Sequence, residues 1–410
     1  MLQHVLEQIV GPEPPVAVEV YDGSRVGPAD APATIRVRRP DAIRRIVAAP
    51  GELGFSRAYV AGDIDVEGDV FAALSLKDTV GNLSLRPTVL AALAREIGVG
   101  NLRPLPPPVE EARLRGRRHT RSRDAAAISH HYDISNEFYR LLLGPSLTYS
   151  CAVYRAPDDT LEQAQEQKYE LICRKLGLRP GHRLLDVGCG WGGMALHAAR
   201  HHGAQVVGVT VSRRQAELAR PRVDEAGLAD RIQVRLQDYR DITDGPFDAI
   251  SSIGMFEHVG LARLADYMER LHALVRPGGR VLNHGISRPP FDRPRLERAG
   301  FMNRYVFPDG ELHEIGSVVS AMQSTGFEVR HLENLREHYA RTLRAWAANL
   351  EARWEEAVAL VGSGRARVWR LYVAGSALNF ESGATQIHQT LAVRPDRGCS
   401  GMPLRPDWGA

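Results

Sequence analysis

Apolar and polar residues alternate in two short runs near the start of the chain, PPVAVEVYDGS and ATIRVRR, and their β-branched content predicts strands. DAIRRIVAA and FSRAYVAGD read instead as helical pieces. Residues 1–100 are therefore expected to form a small mixed α+β N-terminal domain. Pro104 to Pro108 interrupt regular structure, and Arg113, Arg115, Arg117, Arg118, Arg121 and Arg123 follow them, so residues 101–124 read as a linker. From residue 125 the periodicity changes. LEQAQEQKYELICRKLGL is an amphipathic helix and RLLDVGCG a strand running into a glycine turn. A helix (GMALHAARHHG), a strand (QVVGVTV), a helix (SRRQAELARPRVDEAG) and a strand (IQVRLQD) come next. FDAISSIG, a helix around Leu261 to Val275, and RVLNHGI complete the series. Strands alternating with helices predict an α/β fold with a doubly wound, mostly parallel sheet over residues 125–393. Leu343, Trp346, Leu350, Trp354 and Val361 recur at helical spacing and are expected to face a core. Residues 394–410 read as a flexible tail.

Composition narrows the function classes. The chain has 410 residues, 44% of them hydrophobic, enough for two or three domains with sizeable cores. A formal net charge of +3 does not point to nucleic acid. No apolar run is long enough to span a bilayer, and the N-terminus lacks the order of a secretory signal. The four cysteines, Cys151, Cys173, Cys189 and Cys399, follow neither a disulfide framework nor a zinc pattern. A reducing cytoplasm fits them, and no metal site is expected.

The most specific local signal is Leu184-Leu185-Asp186-Val187-Gly188-Cys189-Gly190-Trp191-Gly192. Glycine lets the backbone approach a ligand closely, and Asp186 falls at the strand end, the ligand-binding edge of such a sheet. The spacing G-x-G-x-G differs from the dinucleotide fingerprint G-x-G-x-x-G. No diphosphate needs cradling, but a cationic amino-acid moiety would suit Asp186; the alternative is a tight turn without a ligand. After the second strand no acidic residue is available for ribose hydroxyls, so Thr210 and Gln215 would supply polar contacts. Asp238 and Tyr239 would bind and cover an adenine ring. Taken alone, Asp238 is better read as a cap or turn residue.

With these motifs in place, the sequence resembles the cyclopropane-fatty-acyl-phospholipid synthases, a family that includes the mycolic acid methyltransferases. The matching pieces are HYDISNEFY (131–139), TYSCA (148–152), the glycine motif, GVTVSRRQ (208–215), MFEHVG (255–260) and RYVFPDG (304–310). The likeness runs over roughly residues 125–393, and YDGS with LGFSRAYVAGD is similar to the extra N-terminal domain of the phospholipid-acting members. It implies a class I, Rossmann-like methyltransferase using S-adenosylmethionine. The methyl carbon would go to the cis double bond of an unsaturated acyl chain. The closest likeness is to an actinobacterial branch that turns oleoyl phospholipid into a 10-methylene product, which a separate reductase converts to the 10-methyl branch of tuberculostearic acid. Nothing in the visible chemistry separates that product from a cyclopropane.

By the same resemblance, a bound bicarbonate takes the proton, held by Cys151, Glu257, His284, the backbone of Ile286, and Tyr339. Tyr132, Tyr149 and Ser150 would join Asp186, Gly188, Gly190, Gly192, Thr210, Gln215, Asp238 and Tyr239 at the cofactor. Each has a plainer role: Cys151 as a small buried hydrophobe, His284 as a structural histidine, Tyr339 as a core-edge residue. Glu257 is harder to dismiss, because a carboxylate at that strand end lies in the crevice. The substrate implies peripheral docking at the inner face of a membrane. The arginines of 113–123 would meet anionic head groups at about 1 kcal/mol each, or form a solvated linker. Phe138, Phe301 and Phe307 are candidates for an acyl tunnel or for core packing. Two other readings stay open: a methyltransferase acting on another small molecule, and a non-catalytic, membrane-associated cofactor-binding scaffold. Base methylation is disfavoured, since Gly254-Met255-Phe256-Glu257-His258 replaces the Asn/Asp-Pro-Pro-aromatic motif. The sequence leaves open whether the chain forms a homo-oligomer.

Overall fold

A computed structural model of the chain describes residues 2–11, 13–80, 91, 92, 95, 98, 103–112, 120, 123, 134–290 and 300–409. Two units emerge, one made of residues 1–113, 297–308 and 350–378, the other of 114–296, 309–349 and 379–410.

The first unit carries helices α1 (Leu2–Val10), α2 (Asp41–Ala48), α3 (Glu52–Val60) and α4 (Val70–Val80). Strands β1 (Ala17–Val20), β2 (Arg25–Val26), β3 (Ala33–Val37) and β4 (Ile64–Gly68) form a sheet in the order β2-β1-β3-β4. The alternation in the sequence is realised: Ala33 and Ile35 of β3 are buried while their neighbours are half-exposed. Part of the expected linker is built into this unit. Arg45 donates to the Pro106 carbonyl at 2.8 Å, and Arg57 makes a two-pronged pair with the buried Glu111, both bonds 2.8 Å. A buried carboxylate requires such a partner, which is why the chain around 103–112 follows the domain surface.

The second unit is built on a seven-stranded sheet. Its strands are β5 (Arg183–Val187), β6 (Gln205–Thr210), β7 (Ile232–Leu236), β8 (Phe247–Ile253), β9 (Val275–Ser287), β10 (Glu328–Asn334) and β11 (Gln386–Val393). Their order is β10-β11-β9-β8-β5-β6-β7, with β5 to β9 parallel and β11 antiparallel to both its neighbours, β9 and β10. Its helices are α5 (Asn136–Leu143), α6 (Leu161–Leu176), α7 (Gly193–His202), α8 (Arg213–Glu225), α9 (Leu264–Leu274), α10 (Ile315–Ser324) and, for the most part, α11 (Arg336–Ala352). Successive strand residues serve opposite faces: Leu184 packs with α6, α7 and α8, while Leu185 packs with α9 and α10. This is the expected doubly wound sheet. Its order reverses between β5 and β8, the point where such sheets open a crevice at the carboxyl ends of the strands.

Three details differ from expectation. The apolar stripe over 341–361 is split: α11 stops at Ala352, Arg353 leaves helical geometry, and α12 (Trp354–Val361) and α13 (Ser363–Glu381) follow. Leu343, Trp346 and Leu350 are buried, whereas Trp354 and Val361 are only half-buried. Residues 350–378 belong to the first unit, not to the methyltransferase-type domain. There Arg370 donates to the Tyr59 hydroxyl (3.2 Å) and the Val66 carbonyl (2.9 Å) and pairs with Glu351, so its guanidinium ties α13 to β4. Finally, the expected flexible tail is packed: Trp408 and Met402 lie against the α6–α7 core, and Arg174 donates to the Trp408 carbonyl at 3.2 Å. A large indole so close to apolar surface is buried more favourably than it is solvated.

Glu111→Ala would leave the Arg57 guanidinium without its buried partner. It is expected to destabilise the first unit by on the order of 3 kcal/mol, read as an earlier urea-unfolding transition of the full chain.

Candidate functional site

Where the strand order reverses, a cavity of about 520 Å³ opens. β5 delivers Asp186 and Val187 to it, and the chain then turns through Gly188, Gly190 and Gly192, all at positive φ (76°, 55° and 83°). The amides of Gly188 and Cys189 both donate to the Val209 carbonyl, at 2.9 and 3.0 Å, which closes the turn against β6. No neighbour lies within 4 Å of where a Cβ on Gly190 would point, so its backbone is open to a ligand. Gly192 is not in the cavity wall; it caps the start of α7.

Asp186 is buried, and its Oδ1 accepts from the Ser251 hydroxyl at 2.7 Å. Its Oδ2 has no hydrogen-bond partner among the described residues. Burial pushes its carboxyl up to about 6. An unpartnered buried carboxylate oxygen in a glycine-lined cavity fits a cationic amino-acid group. Thr210 donates to Gln215 Oε1 at 2.8 Å, which turns the Gln215 amide nitrogen outward for a ligand; both line the cavity, as do Tyr149, Ser150 and Tyr239. Asp238 is also in the wall, but its carboxylate caps the turn at Tyr239–Asp241 and is gripped by Arg240 at 2.6–2.9 Å. The turn role is therefore realised, and the adenine contact would come from Tyr239 and from whatever Asp238 has left to offer. Tyr132 lies outside the described residues.

Lys168 was missed. It is fully buried in the same wall, donates to Ser150 Oγ at 2.9 Å, and stands 4.0 Å from the Tyr169 ring centroid. Burial lowers its ammonium to about 7. A signal existed: Gln165, Lys168, Tyr169 and Ile172 share the buried stripe of α6, and a lysine on an apolar stripe is rarely there for packing alone.

Of the five residues expected to hold an anion, Glu257, His284 and Ile286 meet at the end of β9, outside the wall of this cavity, and Cys151 and Tyr339 are linked to them through the backbone of Leu335 and Ile387. β8 ends at Ile253 opposite His284, and Gly254 still donates to the His284 carbonyl at 2.8 Å. Two residues on, the Ile286 amide has no β8 partner and donates to Glu257 Oε1 at 2.7 Å. Burial pushes the Glu257 carboxyl up to about 7, and its Oε2 is unpartnered among the described residues. The Cys151 thiol faces the Ala152 carbonyl at 3.1 Å and the Leu335 carbonyl at 3.7 Å, and the backbone amide of Tyr339 donates to that same Leu335 carbonyl at 3.1 Å. Leu335 in turn donates to the carbonyl of Ile387, the register partner of Ile286. The thiol stays protonated, since burial raises it strongly.

The His284 tautomer follows from its neighbours. The Lys175 ammonium can only donate, so the Gln389 atom it meets at 2.7 Å is the carbonyl oxygen. The Gln389 nitrogen then faces His284 Nδ1 at 3.2 Å, and Nδ1 must accept. Burial and the nearby lysines hold the imidazole neutral, so its one proton sits on Nε2, which is buried and unpartnered among the described residues. Lys175 and Gln389 were also invisible to sequence reasoning, because their importance depends on a helix-to-strand contact 214 residues apart and on the pairing of Gln389 with His284, 105 residues apart.

Three consecutive residues connect the two regions. Met255 packs beside Gly188, where an added Cβ would meet its sulfur at 3.3 Å; the Phe256 ring lies so close on Gly285 that a Cβ there would sit 1.9 Å away; and Glu257 takes the Ile286 amide. Of the arginines proposed for lipid contact, Arg123 is held by Asp309 at 2.6 and 3.0 Å and is not available; the others lie outside the described residues. Phe138, Phe301 and Phe307 are not in the cavity wall. Phe138 contacts Tyr139, Phe301 stacks on Tyr305, and Phe307 meets Tyr372 edge-on, so packing accounts for each. No helix among the described residues is long and apolar enough to cross a membrane.

The mycolic acid cyclopropane synthetase family matches residues 119–390. A probable fatty acid methyltransferase of Mycobacterium tuberculosis is 47% identical over 96% of this chain and 95% of its own. One from Pseudomonas putida is 42% identical over 93% and 92%. The tuberculostearic acid methyltransferase of M. tuberculosis is 33% identical over 93% and 88%. Among solved structures, a cyclopropane synthase from M. tuberculosis superposes with a TM-score of 0.63 at 35% identity, covering 66% of this chain and 98% of that one. A mycolic acid cyclopropane synthase complexed with SAH and CTAB gives 0.62 at 35% identity, with the same coverage.

Asp186→Asn is expected to weaken S-adenosylmethionine binding by about tenfold to a hundredfold, the worth of one charge-assisted hydrogen bond of about 1.5–3 kcal/mol. In the unsubstituted chain the carboxylate is lost as pH falls through about 6, so affinity measured by calorimetry should drop there, and Asp186→Asn should flatten that dependence.

Proposed function

Because the chain belongs to the mycolic acid cyclopropane synthetase family, whose members here are S-adenosylmethionine-dependent lipid-modifying enzymes, we propose that it methylates the cis double bond of an oleoyl-type phospholipid chain. The product would be a methylene- or methyl-branched or a cyclopropane acyl chain. Fatty acid methyltransferase or cyclopropane synthase activity is the coarser assignment that the relatives support, and the choice of substrate and proton acceptor is our reading.

The observation that carries it is two buried atoms without a hydrogen-bond partner among the described residues: an acceptor, Glu257 Oε2, and a donor, the Nε2–H of His284. Bicarbonate, with one O–H and several acceptor oxygens, fits such a pair. When bound, S-adenosylmethionine supplies an electrophilic methyl group and bicarbonate a proton acceptor. Asp186, the glycine turn, Tyr149 and Ser150 would hold the donor in line with the double bond, the main requirement for a nucleophile as weak as an alkene. Glu257 would accept the anion's O–H while His284 and the Tyr339 hydroxyl donate to its oxygens. The carboxylate of Glu257 would also steady the positive charge that develops on the acyl chain. The thiol of Cys151 is neutral and turned to backbone carbonyls, so it would not compete for the cation. The acyl chain would be reached by peripheral docking at a membrane surface, and a methylene product would suit a downstream reductase.

Incubation with S-adenosylmethionine labelled in its methyl group and with oleoyl phospholipid should place the label in the acyl chain, identified by mass; an unlabelled lipid pool would refute the substrate. Glu257→Gln and Tyr339→Phe are expected to keep cofactor affinity and lose about a hundredfold or more in kcat. Gln389→Leu should leave cofactor affinity unchanged and lower kcat about tenfold, because His284 is then free to adopt either tautomer; unchanged kcat would show that the tautomer is set elsewhere.

A further inference from the structure

Behind the cofactor cavity, helices α6 and α7 bring together four side chains that the reaction does not use. Glu170 and Cys173 come from α6, His197 and His202 from α7. The Cys173 sulfur and one ring nitrogen from each histidine all lie within 4.8 Å of one another. Both imidazole Nε2 atoms also converge on a single carboxylate oxygen, Glu170 Oε2, at 3.3 Å (His197) and 2.9 Å (His202). The other oxygen, Oε1, is bound by Arg174 at 2.7 Å, which fixes the carboxylate's direction. Cys173 is fully buried and both histidines are largely so.

We propose that Glu170, Cys173, His197 and His202 form a structural zinc site. Zinc bonds of about 2.0–2.3 Å to nitrogen, oxygen and sulfur in a tetrahedron imply donor-to-donor separations of roughly 3.3–3.6 Å. The 2.9 and 3.3 Å edges from Glu170 Oε2 to the two histidines, and the 4.8 Å limit on the separations among Cys173, His197 and His202, bracket five of the six edges, and a rotamer adjustment would set the sixth, from Glu170 to Cys173. One thiolate, two imidazoles and one carboxylate make a closed set with no open position, the pattern of a structural and not a catalytic ion. Binding forms the sulfur–zinc bond as the Cys173 thiol releases its proton to solvent, and each histidine carries its remaining proton on Nδ1, leaving the Nε2 lone pair to the metal. Arg174 on Glu170 is an orienting partner of the kind that metal ligands commonly have. Cysteine spacing alone shows no zinc pattern because two of the four ligands are histidines on the following helix.

The site's place gives it a consequence. Tyr169, adjacent to Glu170, lines the cofactor cavity with one side and lies 5.8 Å from the His197 ring with the other. A bound ion would clamp α6 to α7 at the back of the wall that carries Lys168 and Tyr169.

The test uses the untagged full-length chain, stripped with chelator, reloaded with zinc and gel-filtered. One zinc per chain is expected, with a raised melting temperature, and Cys173→Ser and His202→Asn should each lose both effects. Cobalt loaded into the unsubstituted chain should give a thiolate-to-cobalt charge-transfer band in the near ultraviolet and intense tetrahedral bands in the visible. Failure to retain stoichiometric zinc, full retention by Cys173→Ser, or cobalt spectra without a thiolate band would overturn the site and leave a hydrogen-bonded histidine–glutamate staple. Should the variants misfold, the cobalt spectrum of the unsubstituted chain decides alone.

Discussion

β8 stops at Ile253 while β9 runs on to Ser287, and the site depends on this mismatch of strand lengths. A parallel ladder that ends leaves amides with nothing to bond. Burying one unsatisfied would cost about 1–3 kcal/mol. The fold solves this at Ile286 with the carboxylate of Glu257, a group that a regular strand would not have supplied. The carboxylate is thereby brought to a buried position with only one of its oxygens satisfied.

The same logic recurs across the site. Asp186, Glu257 and His284 each have one atom bonded within the protein and one left over, and all three are buried. Burial alone would neutralise such groups, as the directions of their proton affinities show. A cationic donor molecule and a hydrogen-bonding anion are the two kinds of ligand that would relieve them. Each of these groups is held by one hydrogen bond within the protein and keeps one atom without a partner among the described residues.

How much of this was legible in the sequence varies with the range of the interactions. The strand of Leu184 to Val187, the glycine turn and the alternation of helices depend on near neighbours, and they stand where the pattern placed them. Glu257 stands out because it follows the end of the FDAISSI strand, where a carboxylate falls at the crevice. Lys168 was overlooked although it shares the buried stripe of α6, since helical periodicity was weighed there only for packing. Gln389 and Lys175 gain their meaning from the pairing of β11 with β9 and the packing of α6 beneath them. Residues 350–378 resemble any amphipathic helix pair, and only the guanidinium of Arg370, reaching Tyr59 and Val66, shows that they complete the N-terminal unit. Asp238 carries the residue type a nucleoside site wants, yet Arg240, two positions away, takes most of its carboxylate.

Met255, Phe256 and Glu257 touch the glycine turn, β9 and its last free amide in three successive steps. They work as a rigid spacer of fixed length. The bare Cα of Gly285 sets how deeply that spacer is seated, and any larger side chain there would lift the whole segment. Met255 beside Gly188 and Glu257 at the Ile286 amide would then shift together. A larger residue at position 285 would therefore disturb the contact with the glycine turn and the Glu257–Ile286 bond together.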